Sequence, residues 1–69
     1  MSVRLDKTSI QRIMGEKNLT GKALADKMGF SDSALSAALG RGTFSHINAV
    51  KLAAALEVPY EEVVRQEES

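Results

Sequence analysis

Residues 21–40 read GKALADKMGFSDSALSAALG, and this stretch decides the fold. Leu24, Ala25 and Met28 recur at helical spacing and define the inner face of a helix over residues 21–28. Thr20 stands where a helix N-cap is wanted, and Gly29 where a helix ends in the left-handed conformation. Ser31 then caps a second helix over residues 32–39, with Leu35, Ala38 and Leu39 turned inward. Two short helices crossing steeply through a tight turn need a small residue at the crossing, a turn residue that tolerates positive φ, and an apolar lock on the second helix. Ala25, Gly29 and Leu35 supply these in that order, and Phe30 is free to turn inward.

Outward from this pair, residues 5–17 read as a helix with Ile10, Ile13 and Met14 on one face. Thr8 with Gln11 forms a possible capping box, Asp6 is a rival cap, and Asn18 suits a left-handed stop. Gly40, Arg41 and Gly42 have the composition of a loop. Ser45 caps a helix over residues 46–56, whose expected apolar stripe is Ile47, Val50, Leu52, Ala54 and Leu56, with Ala53 filling tight space. Pro59 fits the first turn of a fifth, short helix carrying Tyr60, Val63 and Val64 on its apolar side. No run alternates with period two over strand length. The expected architecture is therefore all-α, a compact five-helix domain over residues 1–66, followed by a frayed acidic tail at 67–69.

Composition narrows the function. A chain of 69 residues buries only about 60% of its unfolded surface, which leaves a thin core and no room beside it for a catalytic domain. Cysteine is absent, so neither a disulfide framework nor a thiolate metal site supports the fold. His46 is the sole histidine, which argues against a metal; it fits an exposed or phosphate-neighbouring position. Phe44 and Tyr60 fit core or dimer-contact positions. No basic start leads into an apolar run, and the apolar segment near residues 49–56 is broken by Lys51 and too short to span a bilayer. A cytoplasmic location without membrane attachment is expected. No nucleophile–base arrangement or phosphate loop is visible, so an enzyme or a cofactor is not expected.

The net charge is zero, but it is unevenly distributed. Residues 1–56 hold eight cations against four acids, while residues 57–69 hold five acids against Arg65. A basic body with an acidic end points to a polyanionic partner.

The run LTGKALADKMGFSDSALSAALGRG, residues 19–42, resembles the Cro/C1-type helix-turn-helix family, also called the xenobiotic-response-element family. The resemblance lies in Leu19–Thr20, Leu24–Ala25, Gly29–Phe30–Ser31 and Leu35, and it extends through KLAAALEVPYEEVV at residues 51–64. It implies a lambda-repressor-like domain whose third helix enters the major groove of double-stranded DNA. Base edges would then be met by Ser31, Asp32, Ser33, Ser36 and Ala37. Phosphates would be met by Thr20, Gly21 and Lys22 at the second helix's start, by Arg41 and Thr43, and by His46 at the next helix start. The implied function is sequence-specific transcriptional regulation of bacterial or phage type, repression rather than activation. The expected form is a nucleoid-associated homodimer, at least on DNA.

The chain also departs from the family. Gly21 replaces a frequent Gln, the outward face of the third helix is small, Asp32 is acidic there, and the following loop is one residue off the usual spacing. These features place more weight on phosphate contacts and DNA shape. They also motivate the alternative of a protein-interaction module of the same fold, an antirepressor or antitoxin component with a protein partner.

Overall fold

Four N-caps set the helices. The structure, a computed structural model, describes residues 2–65; the tail expected at 67–69 lies outside the described residues. Asp6, rather than Thr8, caps α1 (Lys7–Glu16), its Oδ1 accepting from the Ser9 N–H at 3.1 Å. The helix starts later than residue 5 because Leu5 is held elsewhere. The Leu5 N–H donates to the Gly42 carbonyl at 2.8 Å, and Leu5 forms a bridge with Val64. Thr20 caps α2 (Gly21–Met28) through the Ala23 N–H, and Ser31 caps α3 (Asp32–Arg41) through the Ala34 N–H, both at 3.1 Å. Between them Gly29 adopts φ 74°, and the Phe30 N–H closes onto the Ala25 carbonyl at 2.8 Å.

The loop expected at residues 40–42 is corrected. Gly40 and Arg41 complete the last turn of α3, and Gly42 ends it at φ 77°. An interior glycine costs a helix only about 1 kcal/mol, and the cation at Arg41 suits the negative end of the helix dipole. The left-handed stop is therefore Gly42.

Two strands interrupt the expected all-helical plan. β1 (Ser2–Arg4) pairs antiparallel with β2 (Thr43–Ser45), with Val3 opposite Phe44 and Arg4 opposite Thr43. Phe44 is buried against Phe30 in an edge-to-face contact, with ring centroids 5.6 Å apart. It is a core residue and offers no surface to a second copy.

Ser45 caps α4 (His46–Leu56) through the Asn48 N–H at 3.2 Å. Its buried residues are Ala49, Leu52, Ala53 and Leu56, spaced i, i+3, i+4, i+7. Ile47 and Val50, expected on that stripe, are instead 68% and 46% exposed, and Ala54 is exposed as well. The inward face follows the small alanines, which let α4 approach its neighbours closely.

The fifth helix is a single 3-10 turn, Tyr60–Glu62. After it the chain straightens so that Val64 can pair with Leu5 and the Arg65 N–H can donate to the Arg4 carbonyl at 2.9 Å. The described residues are thus mostly helical, with four α-helices and a two-stranded sheet. One core cluster joins them, with Ile10, Leu24, Leu35, Leu52, Leu56 and Val63 fully buried.

Candidate nucleic-acid interface

The inner face of α3 is fixed by Leu35 and Ala38, both 1% exposed. At about 100° per residue, Ser33, Ser36, Ala37 and Gly40 fall on the opposite side, and all four are exposed. None is taken up by capping or packing, so α3 presents a ridge of small, neutral groups. Ser31 is different: its hydroxyl is engaged as the N-cap of α3.

At the N-terminal end of this ridge, α2 and α3 meet. A Cβ placed on Gly21 would lie 3.9 Å from Oδ1 of Asp32, so the Asp32 carboxylate stands beside the first residue of α2. Thr20, Lys22 and Ser33 are exposed around it. The positive ends of two helix dipoles and one carboxylate therefore share this corner. Asp32 partly satisfies the field that would otherwise attract a phosphate.

At the other end, Arg41 and Thr43 line a cleft of about 250 Å³. The eleven expected contact residues are thus split. Six cluster where α2 and α3 begin, Ser36 and Ala37 lie midway, Arg41 sits in the last turn of α3, and Thr43 and His46 follow in β2 and at the start of α4. His46 is exposed, but its Nδ1 and the Tyr60 hydroxyl are hydrogen-bonded at 3.1 Å, which ties it to the 3-10 turn.

The cleft beside Arg41 also contains Arg4, Lys7 and Arg65. Sequence reasoning did not bring these cations together. Arg4 and Arg65 are far apart in the chain, and Arg65 sits in an acidic stretch. The only hint was the excess of cations before residue 57. Among the described residues, no group of three or more His, Cys, Asp or Glu could hold a metal ion. Among them also, no helix is long and apolar enough to cross a membrane. Comparison of the chain with models of known families, with curated proteins and with solved structures found no match.

Proposed function

We propose that the protein is a sequence-specific DNA-binding transcriptional regulator of Cro/C1 type, with α2 and α3 as its helix-turn-helix and α3 laid in the major groove. The observation that carries this reading is the outer ridge of α3. Ser33, Ser36, Ala37 and Gly40 are exposed and free of structural duties, while the opposite face locks α3 rigidly to the core. Small side chains let the helix approach base edges closely. A serine hydroxyl donates to or accepts from several bases, and the Ala37 methyl suits a thymine methyl. Asp32 faces a cytosine amino group, the one base-edge partner that favours a carboxylate there.

Phosphates are held by Thr20, the Gly21 N–H and Lys22 on one side and by Arg41 and Thr43 on the other. Repression is favoured over activation, because occupying a site is enough to block its use. A homodimer would span half-sites about 34–36 Å apart. The exposed pair Ile47 and Val50 on α4 offers each copy the same apolar patch for a two-fold contact. The reading assigns no catalytic step, cofactor or metal, and it places the protein on DNA in the cytoplasm.

One observation favours a second reading, a protein-interaction module of the same fold. Asp32 beside Gly21 puts an acid where phosphates would approach. The two readings differ in salt dependence. The test is a titration of the protein against its own upstream DNA and a random duplex at several salt concentrations, with Ser36→Ala and Arg41→Ala. The DNA-binding reading expects preference for the upstream DNA, affinity that falls steeply with salt, loss of preference in Ser36→Ala, and uniform weakening in Arg41→Ala. A folded protein that binds neither duplex at low salt rejects it in favour of a protein partner.

A further inference from the structure

We propose that the outer face of α4 is a contact between two copies of this chain, which pair there with their α4 helices antiparallel. The inference deepens the homodimer of the DNA-binding reading and rests on that reading for the dimer's purpose; the contact itself is tested without DNA.

Helical spacing lays out the face. Ala49, Leu52, Ala53 and Leu56 point into the core. At about 100° per residue, Ile47, Val50, Lys51 and Ala54 fall on the opposite side, and all four are exposed. Ile47 and Val50 are the large hydrophobic residues left exposed among the described residues. Single exposed apolar residues are ordinary, but these two stand one turn apart and share a stripe with Ala54. α2 packs against both α3 and α4, and the stripe lies on the side of α4 turned away from the core. Covering it leaves the reading ridge of α3 open.

Charge selects a second copy as the occupant. Glu57 is placed against local preference on three counts. It ends α4 at φ 59°, a left-handed conformation that suits glycine. Its carboxylate stands at the negative end of the α4 dipole. Its partner Lys27 is 4.0 Å away in an open surface pair, a kind of contact that contributes little. Antiparallel pairing about a two-fold axis between Val50 and Lys51 gives the carboxylate a role. Ile47 covers the partner's Ala54, and Val50 packs on the stem of the partner's Lys51. Glu57 then comes to the start of the partner's α4, where the dipole is positive, beside the partner's His46. In each copy the His46 Nδ1 and the Tyr60 hydroxyl are hydrogen-bonded at 3.1 Å, which leaves Nε2 to donate to that carboxylate. The apolar stripe, the acid and its acceptor end all belong to one face of one helix, the self-complementarity that a two-fold contact requires.

The size of the face sets the strength. α4 has 11 residues and is about 16 Å long. A stable interface takes about 800 Å² from each partner, more than one face of so short a helix offers. The free dimer is therefore weak. Pairing becomes complete on adjacent half-sites, where one bound copy raises the effective concentration of the next.

The test uses the full chain without DNA, followed by sedimentation and by amide resonances from micromolar to millimolar concentration. The variants are Ile47→Ser, Glu57→Gly, Glu57→Lys, the double variant Glu57→Lys with His46→Glu, and Arg12→Ala away from the stripe. Circular dichroism melts establish that each is folded. The wild type and Arg12→Ala are expected to self-associate, with concentration-dependent shifts at Ile47, Val50, Ala54 and Glu57. Ile47→Ser is expected to weaken association about tenfold or more. Glu57→Gly is expected to weaken it while raising the thermal midpoint, a combination that a purely structural role for Glu57 does not give. Glu57→Lys weakens it, and adding His46→Glu restores it. Association indifferent to Ile47→Ser and Glu57→Gly, or a double variant that does not recover, overturns the antiparallel contact. A chain that stays monomeric at millimolar concentration overturns it too and leaves the stripe to a different protein. Self-association as expected in a chain that binds no DNA upholds the contact, and the DNA-binding reading then fails alone.

Discussion

At the N-terminal end of α3 a carboxylate, Asp32, stands beside the first residue of α2. At its C-terminal end, about 15 Å away at the standard helical rise, Arg41 joins Arg4, Lys7 and Arg65 around a cleft. Each charge on α3 is of the sign that the helix dipole favours at that end. For a polyanionic partner the two ends then differ. At the C-terminus helix stability and phosphate attraction act together, whereas at the N-terminus they conflict. The division suits a protein that reads with small neutral groups along one half of a helix and grips the backbone beyond the other half.

The comparison presupposes that α3 is one rigid body, and the largest expected effect comes from breaking that. Leu35 is buried at the centre of α3's inner face. Leu35→Ala is expected to cost about 2–5 kcal/mol, against a total of about 3–10 kcal/mol for a domain of this size. Urea denaturation measures it, and a loss under about 1 kcal/mol would mean that α3 is not anchored as described.

Removing charge from the grip tests the C-terminal end alone. Arg41→Ala is expected to weaken binding to every duplex alike and to flatten the salt slope by about 1, with little change in thermal midpoint. Loss of preference for one sequence, rather than uniform weakening, would place Arg41 among the base-reading residues instead.

At the N-terminal end two neighbouring substitutions separate structure from recognition. Ser31→Ala removes the cap hydrogen bond to Ala34 and is expected to cost about 1 kcal/mol of stability. Asp32→Asn is expected to lose only about 0.3–1 kcal/mol while strengthening binding to random DNA, because a repulsive charge is gone. Thermal melts and low-salt titrations read the two effects. If Asp32→Asn binds random DNA more weakly, the two ends of α3 are not in the opposition described.

How far these features are legible before folding follows from their range in the chain. The bounds of α2 and α4 come from residues inside or beside them: Thr20, Gly29 and Ser45 act within a turn of their own helix. The fate of Gly40 depends on Gly42, since either glycine offers a stop and the second is used. β1 and β2 are three residues each and gain their pairing from one another across some forty residues, so no local alternation announces them. Ile47 and Val50 mislead because large apolar residues are read as core, whereas the packing of α4 selects Ala49 and Ala53. The ridge of α3 follows from helical periodicity once Leu35 is placed. The cation cleft does not, since it needs the sheet and the Leu5–Val64 bridge to bring positions 4, 7, 41 and 65 together.

The most direct test of the account is amide resonance mapping of the isotope-labelled protein during titration with a duplex of its own upstream sequence. The account predicts the largest shifts at Ser33, Ser36, Ala37 and Gly40, with a second group at Arg41 and Thr43. Shifts confined to α4 around Ile47 and Val50, or none with the protein folded, would contradict it.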